Sequence, residues 1–235
     1  MRDPKLVVYG DAEHARRYAL RWDSARGRAR DARKQRALAA AFEHLAPFTS
    51  VLDAPCGAGR LCAFLSTERA YIGVDLAPAM LGEARARQAS ARFAVGDLTR
   101  LPLADHSVDV AVCVRLLHLV RERSLRVAIL AELARVARIG VVVDFRHAAA
   151  LRTWLGRLRA RTGLRARPHN AHALSSVADE FTAAGLGPPV FVPVRRPAWL
   201  SDKMVAAARV RGATRTAWET VGVAGAGQSG PDTPT

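Results

Sequence analysis

Three aspartates recur at equal intervals in the first half of the sequence. Asp53, Asp75 and Asp97 each follow a short apolar segment of strand character, and each lies 22 residues from the next. That interval is the length of one strand plus one helix, so the strands are expected to run parallel in one open sheet. The carboxyl ends of such strands meet at the edge where ligands bind. The spacing therefore predicts that the three carboxylates line one elongated, nucleoside-sized site.

A glycine turn follows the first aspartate. Residues 54–59 read APCGAG, and the bare backbone of Gly57 and Gly59 lets N–H groups and the next helix start approach a ligand. Asp75 is placed to accept hydrogen bonds from a ribose diol. A dinucleotide-binding turn has a further glycine three residues later, but that position is Cys62. The turn therefore disfavours a nicotinamide-dependent enzyme.

Alternating strand and helix patterns position these residues. The segments SVLDA, YIGVD, RFAVGD, VDVAVCV and VVVDF predict five strands, with helical patterns between them. Before the fifth strand, residues 122–138 place Leu125, Ile129, Leu133 and Val136 on one helix face. GPPVFVPV and DKMVAAARV predict two last strands in an antiparallel hairpin. We therefore expect an α/β fold, a doubly wound, mostly parallel seven-stranded sheet with an antiparallel last strand and N-terminal helices.

The chain is long enough for one α/β domain at 235 residues and short for two. Residues 1–47 are expected to form a helical cap, with nine basic residues between Arg16 and Arg36. Residues 48–212 would hold the sheet and its helices. Residues 213–235, rich in Gly, Thr, Ala and Pro, predict a disordered tail.

Residues 148–170 predict a basic amphipathic insertion. Leu151, Trp154 and Leu155 fall on one side of a helix, whereas seven arginines occur between Arg146 and Arg167. Closing the protein core is the favoured role of the apolar side. The arginines could instead follow an RNA backbone, or the helix could rest on an anionic membrane surface.

The amino-acid composition indicates where the protein is located in the cell and which partners it binds. The formal net charge is +15, carried almost entirely by arginine, and this bias indicates a GC-rich genome as much as a nucleic-acid partner. No apolar run reaches the roughly 18 residues of a membrane span, and the first residues lack a signal-peptide pattern. We expect a cytoplasmic protein without a transmembrane segment. The three cysteines lack the spacing of a zinc site or a disulfide framework, so no metal is expected.

The motifs of residues 49–145 resemble those of class I S-adenosylmethionine-dependent methyltransferases, in the bacterial group that includes small-molecule and quinone-biosynthesis enzymes. VLDAPCGAGR resembles the first motif and GVDLAPAMLGEAR the second, and FAVGDLTRLPLADHSVDVAVCVRLLHLV covers the third and fourth. The resemblance implies a Rossmann-like fold and S-adenosyl-L-methionine as the cofactor.

The resemblance also implies which residues contact the cofactor. Asp53 and the glycine turn would surround the methionine part, Asp75 would hold the ribose hydroxyls, and Arg115 would line the site near the sulfonium. Met80, Asp97 and Leu98 would lie at the adenine. The complete expected set is Asp53, Ala54, Gly57, Gly59, Asp75, Leu76, Met80, Asp97, Leu98 and Arg115. Cys56 is expected to fill a tight bend and to be unreactive.

Methyl transfer is an in-line displacement at an activated carbon, so a protein contributes orientation and, for some acceptors, removal of a proton. His118, just after the fourth strand, is the candidate catalytic base, although a role in packing the local loop is favoured. Asp144 and His147, at the end of the fifth strand, come next. Three more histidines lie in segments expected to form a lid: His14, His169 and His172.

The leading hypothesis is a methyltransferase for a small-molecule or lipid-linked acceptor, acting at oxygen, nitrogen or carbon. One alternative is an RNA methyltransferase that uses the arginine-rich face. The other is a protein that binds S-adenosylmethionine without catalysis. The sequence leaves the acceptor open.

Overall fold

A computed structural model describes residues 11–151, 153–155 and 170–212. Seven strands form one sheet in the order β3-β2-β1-β4-β5-β7-β6. The strands are β1 (Ser50–Asp53), β2 (Ala70–Asp75), β3 (Arg92–Val95), β4 (Val108–Cys113), β5 (Ala137–Arg146), β6 (Val190–Pro193) and β7 (Lys203–Arg209). The helices are α1 (Ala12–Leu20), α2 (Ala25–Phe42), α3 (Cys62–Leu65), α4 (Pro78–Arg87), α5 (Arg123–Val136) and α6 (Leu174–Ala183), with 3₁₀ turns at Leu117–Leu119 and Ala198–Leu200.

The sheet confirms the fold expected from the sequence. The first five strands pair in parallel, and β7 lies antiparallel between β5 and β6. The strand order reverses between β1 and β4, which opens a crevice at their carboxyl ends. The reversal therefore puts the ends of β1, β2 and β3 beside those of β4 and β5.

Helices cover both faces of the sheet. Leu133 of α5 and Phe181 of α6 pack with Val143 on one face. On the other face, Leu38 of α2 packs with Val142 and its neighbours. The helix α2 thus forms a layer of the domain, whereas α1 lies over α4 and the glycine turn.

The two N-terminal helices begin at side-chain caps. Asp11 accepts a hydrogen bond from the backbone N–H of His14, and Ser24 accepts one from Gly27. Each cap satisfies an N–H group that has no partner inside its helix, so the break between α1 and α2 is set locally.

Two elements differ from the sequence-based prediction. The helical pattern expected between the first two strands yields only the four-residue α3, because Gly57 and Gly59 hold positive φ and keep the preceding chain in turns. In α5, Ile129 is buried as predicted, but Leu125 is 38% exposed, because the first turn of the helix borders the crevice.

Several sequence-based predictions fall outside the described residues. The expected tail lies beyond residue 212, and most of the basic insertion falls at residue 152 and residues 156–169. Trp154 is described and is 57% exposed, so the expectation that it closes the core is wrong for this side chain. Within the described parts of the chain, no helix is long and apolar enough to cross a membrane. The boundaries proposed for the cap, the main domain and the tail stay predictions.

Two glycine-to-alanine substitutions are expected to change stability in opposite directions. A Cβ at Gly140 in β5 would lie 2.6 Å from the carbonyl oxygen of Ala208 on β7, so Gly140→Ala should lower the free energy of unfolding by about 1–3 kcal/mol. A Cβ at Gly82 in α4 would meet nothing within 4 Å, so Gly82→Ala should raise it by about 0.5–1 kcal/mol. Urea unfolding measures both, and effects of the same sign would contradict this account of the sheet.

Candidate active site

A cavity of about 1230 Å³ lies at the crevice where the strand order reverses. Asp53, Asp75 and Asp97 all line it, so the structure brings the three aspartates together as their spacing predicts. Binding cavities for small molecules measure about 300–1,000 Å³. The volume is therefore sufficient for a nucleoside-sized molecule together with part of a second one.

Most residues expected to contact a cofactor border this cavity. Eight of the ten line it: Asp53, Gly57, Asp75, Leu76, Met80, Asp97, Leu98 and Arg115. The other two lie just behind: Ala54 is buried in the core, and Gly59 packs against Ala84 of α4. Their contacts with a ligand stay predictions.

Asp75 organises the glycine turn. Its Oδ2 accepts a hydrogen bond of 2.8 Å from the N–H of Gly57, and its Oδ1 accepts one of 2.9 Å from Ala77. Gly57 has φ +56°, a conformation that favours glycine. Each carboxylate oxygen keeps a second acceptor site. Asp75 can therefore hold the turn and still accept a hydroxyl hydrogen bond from a ligand.

Asp53 is buried at the base of the cavity. The hydroxyl of Tyr71 donates to Oδ2 at 3.3 Å, whereas Oδ1 has no hydrogen-bond partner among the described residues. Burial raises the pKa of Asp53 to about 7, despite the nearby charge of Arg60. A buried oxygen without a donor is costly. The position is therefore suited to a ligand that brings an N–H donor.

The far end of the cavity combines a carboxylate with apolar walls. Asp97 follows β3 and is exposed, and its Oδ1 accepts two 2.8 Å hydrogen bonds from the N–H and the hydroxyl of Thr99. Leu76, Met80 and Leu98 line the same cavity. Apolar walls with a single well-placed acceptor suit a flat ring that carries an exocyclic amino group.

Two aromatic side chains of the N-terminal region, Tyr18 and Trp22, contact each other next to the cavity, and Tyr18 lines it; we call this pair the aromatic roof. The Trp22 ring contacts two guanidinium groups, with Arg60 at 4.4 Å and Arg115 at 4.9 Å from its centroid. Arg60 also pairs with Asp31 of α2. Each contact between an arginine and an aromatic face is favourable. This pair was not predicted from the sequence; the spacing of four residues between Tyr18 and Trp22 is the one signal that could have indicated it, and α1 ends at Leu20, before Trp22.

A buried ion pair anchors the roof to the sheet. The ammonium of Lys34 lies 2.7 Å from Oδ2 of Asp144, and Oδ1 of Asp144 accepts a 2.6 Å hydrogen bond from the N–H of Arg115. Burial opposes ionisation of Asp144, but the charge of Lys34 and both hydrogen bonds hold the pKa of Asp144 well below its usual range. Asp144 is thus a structural anchor rather than a proton acceptor.

His118 lies beside the cavity without lining it, in the turn Leu117–Leu119. Burial lowers the pKa of His118 to about 4, and the charges of Arg146 and Arg115 contribute to this shift. The imidazole is therefore neutral at pH 7 but a weak base in this conformation. Its catalytic role stays a prediction.

The other histidines singled out from the sequence lie in different parts of the chain. His147 and His172 form a backbone bridge with each other, His14 lies in α1, and His169 lies outside the described residues. Over the described ranges, no three His, Cys, Asp or Glu side chains come together as a metal site.

The cysteines are expected to resist alkylation in the folded protein. All three are buried, and burial raises the pKa of the Cys56 and Cys113 thiols. The thiolate is the reactive form, so native protein treated with iodoacetamide at pH 7.5 should keep its mass. Urea-unfolded protein should gain three adducts, one per cysteine. Rapid labelling of Cys56 in the native protein would contradict the expectation.

Comparisons with known proteins agree with this geometry. Residues 51–140 match the family described as a methyltransferase domain. The matched segment includes β1, the glycine turn, all three aspartates and the first part of β5.

One curated relative and two solved structures illustrate the likeness. A malonyl-[acyl-carrier protein] O-methyltransferase of Serratia marcescens is 39% identical over 105 residues, which cover 44% of this chain and 40% of that protein. The chain therefore matches well under half of that relative's length. A Pyrococcus horikoshii protein superimposes with a TM-score of 0.63 at 19% identity, covering 81% of this chain and 93% of the other. The magnesium protoporphyrin IX methyltransferase of Synechocystis, solved with bound S-adenosylhomocysteine, gives a TM-score of 0.58 at 18% identity, covering 79% and 87%.

Proposed function

We propose that this chain, whose residues 51–140 match a methyltransferase domain, is a class I S-adenosylmethionine-dependent enzyme that transfers the methyl group of S-adenosylmethionine to a small-molecule acceptor. One observation carries the proposal. Three carboxylates at the ends of β1, β2 and β3 share one cavity, and the most buried of them, Asp53, has an oxygen that accepts no hydrogen bond from the described residues.

The residues of the cavity fit the parts of S-adenosylmethionine. The ammonium of its methionine part is a donor of the kind that Oδ1 of Asp53 lacks. Asp75 is suited to the ribose diol, since each of its oxygens has acceptor capacity left. Asp97 and the apolar side chains of Met80 and Leu98 suit the adenine.

The cofactor, when bound, supplies a methyl group already activated by a sulfonium. The protein then needs to orient the acceptor and keep water away from the reacting atoms. Tyr18 of the aromatic roof lines the cavity, and Leu116, Leu119 and Leu125 add apolar side chains to its lining. An acceptor that ionises in solution requires no base, which is compatible with the low pKa of His118.

The acceptor is proposed to be a small molecule or a group carried by a thioester or lipid. Two of the related proteins are named for a malonyl group on acyl-carrier protein and for magnesium protoporphyrin IX. The volume left beside a bound nucleoside supports an acceptor of modest size.

Removing the carboxylate of Asp97 is expected to weaken cofactor binding. Asp97→Ala should raise the Kd for S-adenosylmethionine about tenfold or more, because a hydrogen bond to a charged group is lost. The matched control is Asp105→Ala, which removes an aspartate whose side chain is 70% exposed and pairs with Arg135 away from the cavity. Isothermal titration calorimetry on the full chain measures both.

The same titrations decide the proposed function. Wild-type protein that fails to bind S-adenosylmethionine would overturn it, as would equal losses in the two variants. Release of S-adenosylhomocysteine on addition of a candidate acceptor measures the transfer itself. Tight binding without release across an acceptor panel would favour a cofactor-binding protein that lacks catalysis.

Cofactor affinity is expected to rise with pH around neutrality. The pKa of Asp53 is raised to about 7 by burial, so the carboxyl is mostly neutral at pH 6 and mostly ionised at pH 8. The ionised form attracts the cofactor ammonium, so the Kd should fall by about tenfold per pH unit at most and binding should release a proton. Asp53→Asn, which cannot ionise, should remove this dependence. An unchanged pH slope in Asp53→Asn would contradict the role given to Asp53.

A further inference from the structure

Two cations face each other across neighbouring strands next to the cavity. Arg146 of β5 pairs in antiparallel register with Lys203 of β7. Residues directly opposite in such a pair project to the same face of the sheet, and like charges there destabilise it. The placement is therefore unfavourable unless an anion lies close to both side chains.

The side chains of Arg146 and Lys203 lie on the face of the sheet that α2 covers. Val142 and Val205 pack with α2, and side chains alternate between faces along a strand. Asp144, Arg146 and Lys203 are each an even number of residues from one of these valines, so they share that face. Asp144 is the residue whose carboxylate meets Lys34 of α2.

The surrounding charges leave an excess of positive charge. Among the described residues, four cationic side chains gather here, which we call the basic group: Lys34, Arg115, Arg146 and Lys203. Two carboxylates form ion pairs within this group: Asp144 pairs with Lys34, and Asp202 pairs with Arg146 at 3.0 Å. Burial, together with the charges of Lys34 and Arg146, lowers the pKa of Lys203 to about 8. An added anion would relieve this repulsion.

The basic group reaches the cavity through Arg115. Arg115 lines the cavity and donates its N–H to Asp144. The turn Leu117–Leu119 packs against β5, and Leu119 lines the cavity while His118 lies within electrostatic reach of Arg146 and Lys203. An anion held by these cations would thus lie beside the space left for an acceptor.

We propose that the acceptor carries a carboxylate or phosphate group, and that Arg146 and Lys203 bind this group and orient the acceptor toward the cavity. This inference rests on the proposed function, because it names the class of acceptor for the same site. Arg146 supplies a planar set of N–H donors and Lys203 a compact charge, a combination that suits either anion.

Calorimetry with small anions tests the inference. Malonate and inorganic phosphate are titrated separately, in chloride buffer, into the full chain saturated with S-adenosylhomocysteine. We expect saturable binding of at least one of them, weakened about tenfold or more in Lys203→Met. Lys203→Arg should retain most of the affinity. The matched control is Arg195→Gln, which removes the same charge from an exposed arginine and should bind as the wild type does.

Proton uptake supplies an independent measurement. At pH 8, Lys203 is about half protonated, and a bound anion raises its pKa, so binding should take up as much as about half a proton. Comparing binding heats in two buffers of different ionisation enthalpy measures this uptake. Lys203→Met should abolish it.

The outcomes separate the two proposals. Anion binding that is lost in Lys203→Met and kept in Arg195→Gln supports the inference, and the preferred anion identifies the acceptor group. Equal binding by both variants, or no saturable binding of either anion by the wild type, overturns it. Binding of S-adenosylhomocysteine, measured first on every variant, verifies folding. A wild type that does not bind it overturns the proposed function. The same anion titrations are also run on the unliganded protein, so they report on the anion site even in that case.

Discussion

The buried ion pair between Lys34 and Asp144 is the interaction on which the rest of the site depends. Both side chains are less than a tenth exposed, and they join α2 to the carboxyl end of β5. Removing one partner of such a pair leaves an uncompensated charge in the interior, which costs about 3–5 kcal/mol. The N-terminal helices therefore cannot leave the sheet without a large loss of stability, even though they precede the first strand.

This anchor also determines the shape of the cavity. Asp144 accepts the N–H of Arg115, which holds φ +71°, a conformation that is uncommon for a residue with a side chain. With its backbone held there, the Arg115 guanidinium reaches the Trp22 ring, which Arg60 also contacts. One ion pair thus links α2, the loop after β4 and the aromatic roof.

The two halves of the sheet present side chains of opposite charge at their edge. The ends of β1, β2 and β3 present aspartates and backbone N–H groups, which suits a ligand with an ammonium, a diol and an aromatic base. The ends of β4 and β5 and the start of β7 present the basic group. The antiparallel insertion of β7 creates this contrast, because it brings the first residue of β7 to the edge where the parallel strands end.

Local sequence patterns were sufficient to predict the part of the site that the three aspartates form. Equal spacing of Asp53, Asp75 and Asp97 predicted their meeting, since strand ends of a parallel sheet align whatever the intervening helices do. The register of Arg146 opposite Lys203 and the contact of Trp22 with Arg60 and Arg115 could not be predicted in this way. Residues far apart in the chain form these contacts, and no periodicity encodes their distance. The sequence by itself determined the fold and the three-carboxylate site, whereas only the tertiary structure decided the roof, the anchor and the basic group, because these depend on long-range packing of α2 and β7 against the sheet.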